Sequence, residues 1–323
     1  MVENAVPLTG AIDVHAHYVT PSLRTAMEAA GHGRPDGMPS IPDWDPDAAL
    51  AVMDRTGIAA MLLSVSSPGV HFGDDEAARR LARSVNDEGA ALVAQSPHRF
   101  GLLASLPLPD PPGALAELRH AFDVLGADGI TLLTHYEGRH LGHPCYEPLL
   151  AELDERAAVV LLHPTSPRCP EQAGFPAPML EFPFETTRAV ASLVLSGVPE
   201  RYPAIRFIVA HAGAALSALA DRVTAFSFTI GERPVDVAGA LGGLYYDVAG
   251  FALPRLLPAL LSLTTADRLL YGSDYPFTPD GVVHGLASAL ATTDVLNADE
   301  HRALQCRTAT RLFPRLSSSG SAR

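Results

Sequence analysis

Two imidazoles two residues apart stand at the start of this chain, in Ile12-Asp13-Val14-His15-Ala16-His17. Side chains on a β-strand alternate between its two sides, so His15 and His17 point the same way. Three further stretches place a ligand-type side chain at the end of an apolar run: Leu161-Leu162-His163-Pro164, Ile208-Val209-Ala210-His211 and Tyr271-Gly272-Ser273-Asp274. Imidazole nitrogens combined with a carboxylate oxygen suit zinc, with manganese as the alternative. His15, His17, His163 and Asp274 supply four such ligands. His211 is then the general acid/base, since an imidazole kept off the metal titrates near neutral pH. Asp274 can bind the ion and also exchange a proton, which gives it a share in the catalysis. Asp13 alternates onto the same side and reads as an interior carboxylate behind the ligands.

Substrate contacts are less marked. Arg188, in Glu185-Thr186-Thr187-Arg188, is the best-placed cation to hold a substrate carboxylate, with a surface salt bridge as the competing reading. Trp44 and Phe251 are candidate aromatic walls, and core packing is the plain alternative for either. His135, His140 and His143 crowd one loop, where they either line the pocket or face solvent. Other chemistries lack their motifs. No G-x-S-x-G elbow supports serine hydrolysis, and no glycine-rich phosphate turn is present.

Composition narrows the partners. Asp and Glu outnumber Lys and Arg 36 to 23, for a net charge of −13, which argues against nucleic acid. An acidic chain can still hold a small-molecule anionic substrate, such as a carboxylic acid, locally through a metal ion or one arginine. Cys145, Cys169 and Cys306 are far apart and form neither a disulfide framework nor a thiolate zinc site, so a reducing cytoplasm is the expected setting. Met1 to Gly10 has no basic or apolar region of a signal peptide, and no run long enough to span a membrane follows.

The ligands need elements to carry them. Eight apolar strand-like runs alternate with helical patterns, starting at Ala11, Ala59, Phe100, Gly129, Ala158, Ile205, Leu244 and Arg268. Asp74 to Ala94, for example, reads as an amphipathic helix with Ala77, Leu81, Val85, Leu92 and Val93 inward. Eight such units in 323 residues predict an α/β fold, a single (β/α)8 TIM barrel. It carries an insertion after strand one, the Pro- and Gly-rich Thr20–Pro46 loop over the substrate, and ends in a C-terminal helix. Residues 1–316 form the barrel, and 317–323 form a disordered polar tail. The ligands fall at the C-terminal ends of strands one, five, six and eight. A closed barrel brings strand eight against strand one, so Asp274 meets the His15/His17 pair; an open sheet would separate them.

These motifs resemble the amidohydrolase superfamily, in the branch that includes aminocarboxymuconate semialdehyde decarboxylase. The matching stretches are Ile12–His17, His163-Pro164, His211-Ala212-Gly213 and Gly272-Ser273-Asp274-Tyr275-Pro276. The resemblance implies a divalent metal, usually zinc, on His15, His17, His163 and Asp274, with His211 in proton transfer. It also implies a homodimer. Pro42-Asp43-Trp44, Ser64 to Gly69, Ala104 to Pro109 and Phe182 to Arg188 look like 6-methylsalicylate decarboxylases. The substrate-binding arginine in the first helix of the semialdehyde enzyme has no counterpart in Asp47–Val52, which points to an aromatic monoacid. The implied activity is metal-dependent, non-oxidative decarboxylation of a phenolic or related aromatic carboxylic acid. The alternative is metal-dependent hydrolysis of a lactone, ester or amide on the same site.

Overall fold

The eight apolar runs become eight parallel strands: β1 (Ala11–His17), β2 (Ile58–Ser64), β3 (Phe100–Ser105), β4 (Gly129–Leu133), β5 (Val159–His163), β6 (Arg206–Val209), β7 (Tyr245–Asp247) and β8 (Leu269–Leu270). The computed structural model describes residues 5–168, 174–230 and 235–320. Cys169 and the last three residues of the expected tail lie outside that range. The strands are buried on both sides, as parallel strands wrapped by helices must be. The ring closes between its ends: Asp13 bridges Tyr271, and the Val14 N–H donates to the Tyr271 carbonyl at 2.9 Å. This is the predicted (β/α)8 barrel.

Inside the barrel, Ile12, Val14, Leu62, Leu103, Leu161, Ile208 and Leu270 stack into one apolar layer. Leu312, Phe313 and Leu316 from the chain's end pack against that layer. Arg315 ties this segment to Asp128 and to the Pro97 carbonyl, close to where β3 and β4 begin. The C-terminal helices therefore plug the end of the barrel opposite the histidines. Pro314–Gly320 forms a 3-10 helix, which takes in the first four residues of the segment read as a polar tail.

Three local features differ from the sequence expectation. The Thr20–Pro46 insertion is not all loop: it begins with a helix, Pro21–Ala29, whose first turn is capped by the Thr20 side chain on the Leu23 N–H. Proline at the first helical position suits that start. The helix Asp75–Gln95 buries Ala78, Ala82, Val85 and Gly89 most deeply; Leu81, Leu92 and Val93 pack half-buried against the core as expected, whereas Ala77 is exposed. The approach to the barrel is close enough that a Cβ on Gly89 would meet Leu102 at 2.7 Å, so only small residues fit there. Third, the helix after β5 runs Ala177–Leu195 with Pro183 inside it, so it starts well before the expected Thr186. Among the described residues, no helix is long and apolar enough to cross a membrane.

Candidate metal centre

β1 delivers His15 and His17 with a slip in its register. Pairing with β2 shifts between Asp13 and Ala16, so simple alternation does not run through the strand. His17 pairs with Ser64, whereas Asp13 pairs with Met61, which belongs to the outer core and not to the interior layer of Ala60 and Leu62. Asp13 thus leaves the side on which plain alternation would put it. Its Oδ1 accepts the backbone N–H groups of His15 and Ser273, both at 3.1 Å, and so pins β1 to the segment carrying Asp274. It remains buried behind the ligands.

His15, His17, His163 and Asp274 each offer one ligand atom, and these atoms lie within 4.8 Å of one another. Ring centres of His15 and His17 are 5.0 Å apart, and those of His17 and His163 are 4.7 Å apart. The outer nitrogen of every ring is engaged. His15 Nδ1 faces Asp247 Oδ2 at 2.9 Å. His17 Nδ1 faces the Ser64 hydroxyl at 2.9 Å, while that hydroxyl donates to the Ala16 carbonyl. His163 Nδ1 faces the Pro164 carbonyl at 2.7 Å. An acceptor on Nδ1 fixes the proton there and leaves the Nε2 lone pair free. The lone pairs then converge on the Asp274 carboxylate, and the buried His15 Nε2 has no hydrogen-bond partner. Lone pairs facing a carboxylate repel unless a cation lies between them. The donor set therefore fits a divalent metal.

The electrostatics agree. Burial opposes charge on His15, but Asp247, Asp274 and Asp13 outweigh it and raise its pKa to about 9. Burial, and then the neighbouring His17 and His15, hold His163 neutral, well below the ordinary histidine range. Burial also works against ionising Asp274, yet His17 and His211 keep its carboxyl well below the usual range. The three acids around His15 call for positive charge, which a proton or a metal ion can supply.

His211 sits beside this cluster. Its Nε2 is 3.8 Å from Asp274 Oδ2, and its ring centre is 5.0 Å from that of His15. Nδ1 is buried without a partner. The backbone here is left-handed at four successive residues: His211 (φ 56°), Ala212 (φ 53°), Gly213 (φ 71°) and Ala214 (φ 52°). This reversal turns the chain off β6 before the helix Leu216–Phe226 begins. Asp247 Oδ1 holds it in place by accepting the His211 N–H at 3.0 Å. Gly272 allows the tight fit behind His15, since a Cβ there would meet the His15 Cβ at 2.8 Å.

A cavity of about 780 Å³ opens from His163, His211 and Asp274. Phe182 and Phe277 form its inner aromatic walls, edge-on to His163 and His17 respectively. Phe251 lines it, as do Pro35, Asp36 and Met38 from the insertion. Trp44 is not among the lining residues: it sets its ring 6.1 Å from Tyr18 and packs against the core. Arg188 is not brought to the cavity either. It pairs with Glu185 at 2.6 Å, in the same helix, and lies near the Phe184 ring. Glu185 also faces His135 and His140, so those loop histidines join a separate polar cluster. Sequence reasoning passed over Asp247 and Ser64. Each stands at the end of a barrel strand, the same signal that singled out His15, His17, His163 and Asp274.

The comparisons bear on this geometry. The Amidohydrolase family model matches residues 12–315. The 6-methylsalicylic acid decarboxylase of Penicillium expansum is 34% identical over 94% of this chain and 96% of its own. That of Aspergillus aculeatus is 36% identical over 94% and 96%. Among solved structures, an amidohydrolase II superposes with a TM-score of 0.90 at 39% identity, covering 94% of this chain and 99% of the other. A dihydroxybenzoic acid decarboxylase from Polaromonas sp. JS666, with bound manganese and the inhibitor 2-nitroresorcinol, superposes with a TM-score of 0.81 at 25% identity, covering 95% and 97%.

Proposed function

Because the chain belongs to the amidohydrolase family, we propose that it is a metal-dependent, non-oxidative decarboxylase of a phenolic aromatic acid. The observation that carries this reading is the set of three imidazoles whose Nε2 atoms converge on Asp274 at the base of an apolar cavity. Relatives that match nearly the whole chain are named as 6-methylsalicylic acid decarboxylases, which supports the choice of reaction. His15, His17, His163 and Asp274 hold the ion. Zinc suits three imidazoles and a carboxylate, and manganese, bound in the Polaromonas enzyme, is the alternative. When bound, the ion supplies positive charge that orients the substrate carboxylate and its neighbouring hydroxyl.

The chain's own residues do the rest. His211 is free of the cluster, lines the cavity and carries the proton to the ring carbon bearing the carboxylate. Asp274, fixed as a carboxylate by its neighbours, is the poorer acid and stabilises the charged His211 beside it. As the proton adds, the ring loses aromaticity. The bond to the carboxylate then breaks, its electron pair restores the ring, and carbon dioxide leaves. Phe182 and Phe277 keep this region apolar, which strengthens every charge interaction in it. Trp44 and Arg188 take no part.

We further propose a homodimer acting in the cytoplasm, where the free Cys145 and Cys306 stay reduced. The test of function is to incubate zinc- and manganese-loaded protein with hydroxybenzoates and with lactones. Carbon dioxide release without incorporation of solvent oxygen is expected. Lactone opening with no decarboxylation would overturn the reading in favour of hydrolysis.

A further inference from the structure

The cavity is far from uniform. Its polar chemistry is concentrated at the end with His163, His211 and Asp274, with Asp36 and a few hydroxyls along the wall. Towards solvent it is walled by Met179, Leu180, Phe184, Phe251, Leu256 and Ala259. Several of these are unusually open for apolar groups: Phe251 is 73% exposed and Met179 68%. Among the described residues, no arginine lines the cavity, and all 23 basic residues of the chain are arginine. Nothing there would pair with a second carboxylate, and Asp36 would repel one. The volume of about 780 Å³ also exceeds what one substituted ring needs, and falls in the range of roughly 300–1,000 Å³ that takes drug-sized ligands.

We propose that the substrate is a phenolic monoacid bearing an apolar tail of several carbons, which lies along Met179, Phe184, Phe251 and Leu256. This rests on the decarboxylase reading for the head of the molecule, and extends it to the remainder. The exposed side chains at the cavity mouth then have an occupant: they shed water when the tail enters, and the head is set against the metal end. A second copy of the chain covering the same apolar side chains is the competing explanation, but the lining is concave and continuous with His211 and Asp274, which favours a ligand from the active site outward.

The experiment uses zinc-loaded, full-length protein and 6-alkylsalicylates with methyl, propyl and pentyl tails, plus a pentyl-length tail ending in carboxylate. Binding is measured by calorimetry and carbon dioxide release in parallel. Affinity should rise about twofold to fourfold per methylene, as partial to full burial of each group requires. The carboxylate-ended tail should bind at least about tenfold more weakly than the pentyl acid, because no partner cation awaits it. Met179→Ser and Phe251→Ser should each lower the slope with chain length. A flat or falling series, or equal binding of the carboxylate-ended acid, overturns the proposal. So does a result in which both variants change only the sedimentation of the protein and leave the slope intact. If the slope holds but no acid releases carbon dioxide, the tail site stands and the decarboxylase reading falls.

Discussion

Asp247 offers the sharpest test of how the centre is built. Its Oδ1 accepts two backbone N–H groups, from His211 and Ala249, both at 3.0 Å. Its Oδ2 faces His15 Nδ1 at 2.9 Å. In Asp247→Asn the amide oxygen must take the Oδ1 place, because only an acceptor serves those two donors. The amide NH2 is then forced against His15 Nδ1. To accept from it, His15 must move its own proton to Nε2, where the metal would bind. The alternative is to keep the ligand tautomer and bury two donors face to face, at about 1–3 kcal/mol. Either way zinc affinity should fall about 10–100-fold, the usual range for losing such a partner, or about 1.4–2.7 kcal/mol. The fold should survive, since shape and backbone contacts are kept. Asp247→Ala differs: it strands a buried imidazole and should cost about 3–5 kcal/mol of stability. Competition with a chromophoric chelator gives the affinity, and urea melts of chelator-treated protein give the stability. Wild-type zinc affinity in Asp247→Asn would refute the idea that this carboxylate sets the tautomer of His15.

Three other perturbations probe neighbouring parts. His163→Ala should lose metal and activity together, whereas His211→Asn should retain metal and lose turnover; elemental analysis showing the reverse would undo the division of roles. Gly272→Ala places a methyl group 2.8 Å from the His15 Cβ and 3.1 Å from the Ala249 Cβ; zinc binding should weaken, with a stability loss of about 1–3 kcal/mol by melt. Burial raises Asp13 from 3.8 to about 7. An acid with a folded pKa above its unfolded one favours folding fully below the unfolded value, and that contribution is lost as pH climbs through the folded value. Chelator-treated protein should therefore lose up to about 4 kcal/mol between about pH 4 and pH 7 from this group. Asp13→Asn should flatten that stretch of the profile, and an unchanged slope counts against the assignment.

The barrel and the clustering of His15, His17, His163 and Asp274 were legible because they rest on local signals. An apolar run followed by His or Asp is a strand end, and a closed ring is the one arrangement that joins Asp274 to His15 and His17. Asp247 and Ser64 carry the same signal, in Tyr245-Tyr246-Asp247 and Leu63-Ser64, but an isolated carboxylate or hydroxyl has no spacing partner along the chain. Their role exists only once the ring sets β2 directly beside β1 and brings the end of β7, one strand beyond β8, within reach of His15. Trp44 and Arg188 were chosen by residue type, and type does not say which way a side chain turns. Arg188 found a carboxylate one helical turn away in Glu185, an i, i+3 pairing that local geometry favours over a distant substrate. The helix Pro21–Ala29 hid behind its surroundings: the glycines and prolines of the insertion outweighed the capping signal in Thr20-Pro21. Asp13 shows the limit of counting by twos, because the register slip after it breaks the alternation.

The left-handed run from His211 to Ala214 has a bearing on heat tolerance. Outside glycine, each such residue costs on the order of 1–2 kcal/mol relative to ordinary backbone, and three of the four are not glycine. The protein thus surrenders stability at the turn that sets His211 beside Asp274. A search for more heat-resistant variants would be drawn to Ala212 and Ala214, where glycine relieves the conformation. Such variants would melt later and loosen the imidazole beside them, so selection for stability alone would erode turnover at this turn first.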